Sequence, residues 1–348
     1  MKIIGITMGD PASIGPEITA KALADGVLYD RCHPLVIGDA SVMERALRDT
    51  GLTERLTIHA VKDVNDALFQ KGTIDVYDMG IVDAAKLKVG EISVEAGDAA
   101  FRYVREVIDL AMAGKVDATV TNALNKEAMN LAGHHFSGHT EIYAHFTNTK
   151  SYAMMLAHQN MRVVHVSTHV SLREACDRCK KERVLECTRL ANQACLDLGI
   201  EHPRAAVAGL NPHCGEGGLF GDEEQKEIEP AVQAARAEGI NVEGPLPPDS
   251  VFSKLRGGMY DIVVVMYHDQ GHIPLKVVGF VYNQEKKAWD AVEGVNITLG
   301  LPIIRVSVDH GTAFDQAGTG KASPLSLCNA IDYAIRMADS KDAKEKDA

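Results

Sequence analysis

A series of short apolar runs constrains the fold of this chain more than any other feature. Most of the runs are apolar at consecutive positions, so both faces of the corresponding strands would be buried. Strands of this kind are typical of parallel sheets that helices cover on both sides. The runs are KIIGITM (2–8), HPLVIGD (33–39), VDATVTN (116–122), RVVHVST (162–168), RAAVAGLN (204–211), DIVVVMY (261–267) and PIIRVSV (302–308).

Amphipathic segments lie between these runs. Ser93–Ala113 carries apolar side chains at helical spacing and is followed by Gly114, a residue type that commonly ends helices. Residues 181–199 have the same pattern and precede the run at 204–211. The alternation of strands and helices predicts an α/β fold.

The length and charge of the chain limit its organisation and its partners. Its 348 residues exceed a typical domain, so we expect residues 1–136 with 306–348 to form one α/β lobe and residues 137–305 a second. The net charge of −12 would repel nucleic acids and anionic membranes, and 5% aromatic residues disfavour a base-stacking surface. The expected partners are therefore small molecules or further copies of the chain.

The start of the chain and its cysteines indicate the compartment. The first residues lack the apolar core of a secretory signal, and no stretch approaches the roughly 20 apolar residues of a membrane helix, so we expect a cytoplasmic protein. Seven cysteines, an odd number, favour reduced thiols. Cys176 and Cys179 form a C-x-x-C pair just after His169, but no second pair follows. Ordinary helix cysteines are therefore favoured over a zinc or redox site.

Three histidines share one sequence context. His169, His213 and His268 each follow an apolar run directly or within a few residues. If the strands are parallel neighbours, these imidazoles lie at the same edge of the sheet. Three histidines with an open position suit a divalent metal ion that acts as a Lewis acid. For any one of them alone, a hydrogen-bonded structural role is the better interpretation.

A second polar cluster is FSGHTEIYA (136–144), which has the pattern of a helix start. Free backbone N–H groups at such a start bind anions, and His139 and Thr140 would add donors. The alternative is a plain capping box, which explains Thr140 but not His139. Lys276, Asn296 and Arg305 could likewise neutralise a phosphorylated acid, although each alone could be a surface residue.

The segment Ser307–Leu327 is rich in glycine but fits neither common phosphate-binding motif. A Walker A loop would need Gly in place of Asp315 and Ser or Thr in place of Ala322, and no G-x-G-x-x-G follows a strand. The string HGTAFDQAGTGKASP (310–324) instead closely resembles the loop with which isocitrate and isopropylmalate dehydrogenases hold the adenosine end of NAD(P).

With further motifs, the chain resembles the 4-hydroxythreonine-4-phosphate dehydrogenase family from about Gly5 to Leu327. These motifs are GDPASIGPEI (9–18), SGHTEIYA (137–144), LNPHCGEGG (210–218), GPLPPDSVF (244–252), MYHDQG (266–271) and VNITLGLPIIRVSVDHGTA (295–313). The resemblance implies two α/β/α lobes around a cleft, like isocitrate and isopropylmalate dehydrogenases and unlike a Rossmann fold. It also implies a homodimer whose active site lies at the subunit interface.

The resemblance also assigns roles to residues of this sequence. It implies a divalent metal ion (Zn, Mg, Mn or Co) on His169, His213 and His268, with ligands from both subunits. It places NAD, or NADP, along the 310–320 loop at His310, Gly311, Thr312 and Ala313. Substrate contacts fall on His139, Thr140, Lys276, Asn296 and Arg305, and the candidate catalytic residues are Lys276, Asp249 and Asp269.

Three departures from the family pattern lie near these positions. They are the long segment 281–294 with the single tryptophan, Trp289, then His272, and then Cys214 directly after His213. The pattern looks more like the branch that oxidises D-threonate or D-erythronate 4-phosphate to dihydroxyacetone phosphate and CO₂. The main alternative is the 4-phosphohydroxy-L-threonine dehydrogenase of pyridoxal phosphate synthesis, and the branch acting on an aromatic dihydrodiol is less favoured.

A function of a different class stays open beside the dehydrogenase. The same scaffold could serve as a non-redox acyl-phosphate transferase or a metabolite-binding protein, because a fold alone does not fix a function. The three histidines and the 310–320 loop weigh against this alternative.

Overall fold

The computed structural model describes residues 1–285 and 288–347, and strands and helices alternate along them as predicted. Side chains are described except at 288–292 and 344–347. The strands are β1 Lys2–Thr7, β2 Cys32–Gly38, β3 Thr57–Val61, β4 Thr73–Asp78, β5 Ala118–Thr121, β6 Ala153–His158, β7 Met161–His165, β8 Ala205–Ala208, β9 Val242–Leu246, β10 Ile262–Val265, β11 Phe280–Asn283, β12 Ala288–Val292, β13 Val295–Leu299 and β14 Arg305–Val308. The helices are α1 Gly15–Leu23, α2 Ala40–Asp49, α3 Val94–Met112, α4 Lys126–Leu131, α5 His139–Phe146, α6 Leu172–Arg178, α7 Lys181–Asp197, α8 Glu229–Ala237, α9 Pro248–Arg256, α10 His268–Gly279 and α11 Leu325–Asp347.

The first of two compact units consists of Met1–Thr149 and Leu301–Ala348. Its strands follow the order β3-β4-β2-β1-β5-β14, and the paired strands are all parallel. The central strands are apolar on both faces, with Ile4, Ile6 and Val120 fully buried. Burial of each such side chain stabilises the fold by roughly 1.5–3 kcal/mol. The expected parallel, helix-covered sheet is therefore confirmed in this unit.

Helix α3 of the first unit matches its predicted bounds because its end signals are local. The Oγ of Ser93 accepts a hydrogen bond from the N–H of Ala96 at 3.1 Å and caps the start of the helix. After the last turn, Gly114 adopts φ +68°, a left-handed conformation that glycine takes without strain.

The second unit is Lys150–Gly300, and its sheet is mixed. Its strands follow the order β13-β6-β7-β10-β8-β9. The β7, β10, β8 and β9 strands are parallel, whereas β6 is antiparallel to both β13 and β7. The prediction of parallel strands is thus wrong at this edge, where the tight β6–β7 hairpin reverses the chain. A core that includes Val163, Val263, Leu255 and Leu275 packs against this sheet.

The bounds of the two units differ from those expected of the lobes. Residues 137–149 and 301–305 belong to the first unit, not the second. Helix α5 packs on α3, where the rings of Phe101 and Phe146 are 6.0 Å apart, and Arg305 begins β14 beside β5. His139, Thr140 and Arg305 are therefore carried by the first unit.

Within the described residues, no helix combines the length and the apolar character that crossing a bilayer requires.

Candidate active site

Helix α10 carries a stripe of basic side chains in the second unit. Strand β10 ends at Val265, and α10 begins at His268 two residues beyond Met266. His268, His272 and Lys276 are spaced four residues apart, so they lie on one face of the helix. The polar residues that follow β10 therefore belong to α10, which places them at the carboxyl edge of the sheet.

The histidine cluster at this edge is closely packed. The rings of His268 and His272 stack with centroids 3.6 Å apart and planes at 11°. His165, the last residue of β7, lies 4.8 Å from His272. Burial and then the neighbouring imidazoles lower the pKa of His165 to about 3 and the pKa of His272 to about 4, so both rings are neutral near pH 7.

Glycine at position 271 makes this packing possible. A Cβ atom on Gly271 would lie 2.6 Å from Nε2 of His165, closer than nonbonded atoms approach. Any larger residue would push the helix start away from the sheet. The MYHDQG motif thus contains a glycine that the packing requires, Gly271, as well as candidate metal ligands.

Two of the three predicted metal ligands lie side by side. The ring centroids of His169 and His268 are 5.8 Å apart, a separation that two ligands of one ion could have, since Zn–N bonds are roughly 2.0–2.1 Å. The Nδ1 of His268 is 2.7 Å from Oδ1 of Asp269, which leaves Nε2 for a metal ion. Imidazoles backed by a carboxylate fit a divalent ion such as Zn²⁺.

The third predicted ligand, His213, is not part of this group. It is exposed in the segment Pro212–Gly218, and the described residues contain no cluster of three or more His, Cys, Asp or Glu arranged to hold a metal ion. The resemblance assigns the ligands to two subunits, whereas the structure describes one chain. The three-histidine site therefore stays a prediction.

The backbone around His213 is strained. His213, Cys214 and Glu216 have φ values of 52°, 55° and 44°, within a left-handed turn. This conformation costs an L-residue roughly 1–2 kcal/mol, and such strain concentrates at functional sites. Asp249, predicted to be near the site, is exposed in the first turn of α9. Burial, then Glu224 and then Asp249 raise the pKa of Cys214 to about 11.

Gln270 joins the segments that carry the predicted metal ligands. Its Nε2 donates to the carbonyl of Gly209 at 2.7 Å, and its Oε1 accepts from the N–H of Met266 at 2.7 Å. The Oγ of Ser167 also donates to the carbonyl of Met266 at 2.9 Å. These contacts connect the ends of β7, β8 and β10. This role could not be predicted from the sequence because both partners of Gln270 are backbone groups.

Replacing Gln270 with alanine should therefore destabilise the protein by about 2 kcal/mol, because two buried backbone groups lose their partner. Urea denaturation measures this difference directly. The matched control is Gln233→Ala, which removes an exposed glutamine whose Nε2 donates to Oε1 of Glu229 within α8 at 3.4 Å. Equal midpoints for the two variants would contradict the bridging role.

In the first unit, His139 and Arg305 lie in a positively charged cluster. Arg305 is 3% exposed, and its Nη2 donates to Oγ1 of Thr121 at 2.9 Å. Its guanidinium is also 5.7 Å from the ring of Tyr143. Burial lowers the pKa of Arg305 to about 10, so it stays charged at neutral pH. We call His139, Arg305 and Lys126 the anion cluster.

Electrostatics link the three members of the anion cluster. Burial, then Arg305, then Lys126 lower the pKa of His139 well below its usual value, so this imidazole is neutral beside two cations. Its Nε2 is buried and has no hydrogen-bond partner among the described residues. Lys126, the first residue of α4, was missed, although it follows a predicted strand within a few residues. The arrangement suits an anionic ligand.

The start of α5 adds backbone donors to the cluster. The helix begins at His139, and Gly138 at its N-cap makes no side-chain hydrogen bond. A capping box requires Ser or Thr at the N-cap, so that alternative is wrong. Thr140 lies in this first turn. The N–H groups at a helix start favour an anion.

The predicted cofactor loop is held by α1. The carboxylate of Glu17, only 2% exposed, accepts from the N–H groups of Gly318 and, at 2.6 Å, Gly320. Lys21 donates to the carbonyls of Gly320 and Ala322 at 3.0 and 2.6 Å. Glu17 belongs to the GDPASIGPEI motif, but its role depends on a contact with a segment about 300 positions away in sequence and was not predicted.

The loop residues assigned to the adenosine end form a partly open segment. Gly311 is exposed, Ala313 has φ +44°, and the carbonyl of Thr312 accepts from the N–H of Ile14 at 3.3 Å. His310 contacts the carbonyl of Gly311 through Nδ1, while its buried Nε2 has no partner among the described residues. A held backbone with an unused ring nitrogen fits a polar ligand such as NAD.

Two further predicted substrate contacts, Asn296 and Lys276, belong to the second unit. Asn296 is on β13, and its buried Oδ1 has no hydrogen-bond partner in the described part of the chain. Lys276 has its Nζ 5.1 Å from the ring of Phe280. The long segment 281–294 contributes to a hairpin of β11 and β12, in which Tyr282 pairs with Trp289. The side chain of Trp289 and residues 286 and 287 lie outside the described residues.

The C-x-x-C pair consists of free thiols, with Cys176 inside α6 and Cys179 at the C-cap of this helix. Cys176 lies in α6 and its Sγ contacts the carbonyl of Leu172, whereas the buried Cys179 contacts Sδ of Met266. Burial raises the pKa of Cys179 to about 12, so its thiol is not reactive. All seven cysteines are free thiols.

Comparison with known proteins gives one consistent family. The family model described as "Pyridoxal phosphate biosynthetic protein PdxA" matches residues 30–334. The D-threonate 4-phosphate dehydrogenase of Pectobacterium atrosepticum is 47% identical, covering 97% of this chain and 99% of the relative. The D-threonate 4-phosphate dehydrogenase of Cupriavidus necator is 46% identical, covering 97% and 98%.

A solved structure extends the similarity to the fold. The crystal structure of a 4-hydroxythreonine-4-phosphate dehydrogenase from Klebsiella pneumoniae matches with a TM-score of 0.84 and 46% identity, covering 97% of this chain and 100% of that one. Proteins at nearly equal identity to this chain thus carry the names of two different substrates.

Proposed function

Because the chain belongs to the family of pyridoxal phosphate biosynthetic proteins PdxA, we propose that it is a metal-dependent, NAD-linked dehydrogenase of a four-carbon 4-phosphorylated hydroxyacid. The proposed substrate is D-threonate or D-erythronate 4-phosphate, and the products are dihydroxyacetone phosphate and CO₂. The names of the curated relatives favour this substrate class. The name of the Klebsiella pneumoniae structure supports the alternative, 4-phosphohydroxy-L-threonine.

The observation that carries the substrate class is the anion cluster. A buried guanidinium, a lysine and the N–H groups at the start of α5 together offer donors to a phosphate or carboxylate. The neutral His139 can donate a hydrogen bond without adding a third positive charge. A substrate whose phosphate or carboxylate is bound by the anion cluster would be fixed in orientation. Hydride transfer from one carbon atom requires such an orientation.

The second unit offers side chains for the chemical step. When bound, the metal ion would act as a Lewis acid on the C3 hydroxyl and NAD would accept the hydride. His169, His213 and His268 would hold the ion, and Asp269 keeps the His268 ring oriented through Nδ1. Asp269 therefore acts as a positioning residue. Lys276, on the same helix face, supplies an ammonium for a negatively charged substrate group or for protonation of the enolate.

The reaction consists of two balanced steps. Oxidation at C3 removes a hydride and the hydroxyl proton and leaves a 3-keto acid. The bond between C1 and C2 then breaks, CO₂ leaves, and the electron pair forms an enolate that takes up a proton at C2. Each substrate molecule should therefore give one NADH, one CO₂ and one dihydroxyacetone phosphate. Coupled assays can count all three, and NADH without CO₂ would contradict the decarboxylation.

The loop around His310 is the proposed cofactor site, with NADP as the alternative to NAD. Glu17→Gln should raise KM for NAD about tenfold and change kcat little, because an amide replaces an acceptor of two loop N–H groups and the loop loses its preorganised shape. Steady-state kinetics at varied NAD test this. The control is Glu44→Gln, an exposed glutamate of α2. An unchanged KM for NAD in the Glu17 variant would contradict the role of this clamp.

We also propose that the protein acts as a homodimer. Ile273 and Val277, on α10, are 60% and 75% exposed, and Val281 and Tyr282 continue this apolar surface on β11. Exposed apolar patches of this kind mark interfaces. This apolar patch lies next to the stripe of basic side chains on α10. A second copy of the chain that covers the patch would therefore lie beside the proposed metal ligands. Sedimentation equilibrium should give twice the mass of one chain, and a monomer would contradict the proposal.

A further inference from the structure

The segment that carries His213 has a backbone shape that its own sequence does not favour. Five consecutive residues, His213–Gly217, have φ between +44° and +78°. Glycine adopts such values freely, but three of the five residues are not glycine. A left-handed turn of this composition persists only where surrounding contacts impose it.

The carboxylate of Glu224 provides such contacts. Its Oε1 accepts from the backbone N–H groups of Leu210 and Asn211 at 2.8 and 2.7 Å. Its Oε2 accepts from Nδ2 of Asn211 at 2.9 Å. Glu224 is only 2% exposed, and these three donors are uncharged. The buried carboxylate and the segment before His213 therefore stabilise each other.

The fit on the far side of His213 is equally close. A Cβ atom on Gly215 would lie 2.9 Å from Oε2 of Glu224 and 2.7 Å from the carbonyl oxygen of Gly221. The left-handed turn thus packs its backbone directly on the carboxylate. Glu224 also begins a π-helical turn, Glu224–Ile228, a rare geometry that is frequent at functional sites.

We propose that Glu224 is a positioning residue that holds the left-handed turn and so fixes the direction of the His213 imidazole. The carboxylate binds the backbone on one side of His213 and packs against it on the other. No sequence motif for metal binding includes this residue, because it acts through the backbone. The proposal rests on the proposed function only in assigning His213 to the metal ion.

The test is the variant Glu224→Gln, which keeps the size of the side chain but removes its charge and one acceptor oxygen. In metal-free protein, hydrogen exchange of the Leu210 and Asn211 amides should be at least about tenfold faster than in the unchanged protein. The Kd for Co²⁺, followed by visible absorption, should rise about tenfold, as expected for loss of a group that orients a metal ligand. The matched control is Glu229→Gln, an exposed glutamate that should change neither quantity.

Each outcome shows whether or not Glu224 positions His213. Faster exchange with weaker Co²⁺ binding supports the proposal. Unchanged exchange overturns it, and so does faster exchange with unchanged Co²⁺ affinity. The variant His213→Ala tests the proposed function separately. If its Co²⁺ affinity equals that of the unchanged protein, His213 is not a metal ligand. If Glu224→Gln fails to fold, Asn211→Ala, which removes only the side-chain donor, should give the same two changes at smaller size.

Discussion

Replacing His268 with alanine should lower kcat at least about 1,000-fold while the protein remains folded. The ion that His268 would hold stabilises the developing negative charge by several kcal/mol, and about 4 kcal/mol corresponds to this factor. The side chain is only partly buried at the first residue of α10, so its removal leaves a small cavity. Initial rates of NADH formation and circular dichroism measure the two parts of this prediction.

The control for His268→Ala is His202→Ala, which removes an exposed histidine of the same unit. It should retain full activity. Chelator should lower the rate of the unchanged protein to that of the His268 variant, and added divalent metal should restore only the unchanged protein. Full activity of His268→Ala in metal-free buffer would contradict the metal role.

Replacing Arg305 with methionine should lower kcat/KM about 100-fold, mainly through a higher KM. Methionine has a similar length but no charge, and hydrogen bonds to a charged group contribute roughly 1.5–3 kcal/mol each. The buried guanidinium is the strongest fixed positive charge of the anion cluster, so a phosphate or carboxylate loses its main partner. Kinetics over a range of substrate concentrations separate KM from kcat.

Arg31→Met is the matched control for the Arg305 variant. Arg31 pairs with Asp332 at 2.6 Å, and both side chains are 42% exposed. The substitution removes the same charge from the same unit without touching the anion cluster. Equal kcat/KM values for the two variants would contradict the assignment of Arg305 to the substrate.

Local sequence signals predicted most of the fold. Two-sided apolar runs gave the central strands, and Ser93 with Gly114 gave both ends of α3, because these signals act within a few residues. Strand β6 was not among the predicted strands, and its apolar sequence, AMMLAH, does not show in which direction it pairs. The bounds of the two compact units differ from those of the expected lobes because the pairing of β14 with β5 is a tertiary contact.

The site was predictable to the extent that its residues carry reactive side chains. His169 and His268 could be selected from strand context, and the structure brings them together. Glu17, Gln270 and Glu224 could not, because each acts on backbone groups of distant segments. Candidate ligands can therefore be recognised in a sequence more readily than the residues that orient them. Lys126 lies between these cases, since its charge was visible but its proximity to His139 was not.

The measurement that tests the central claim most directly is the initial rate of NADH formation with D-threonate 4-phosphate, D-erythronate 4-phosphate and 4-phosphohydroxy-L-threonine. Each acid is supplied at the same concentration with NAD and divalent metal, with and without chelator. We predict turnover of the first two acids that chelator abolishes. No NADH with any of the three acids would contradict the proposed function, and a clear preference for the third would contradict the proposed substrate.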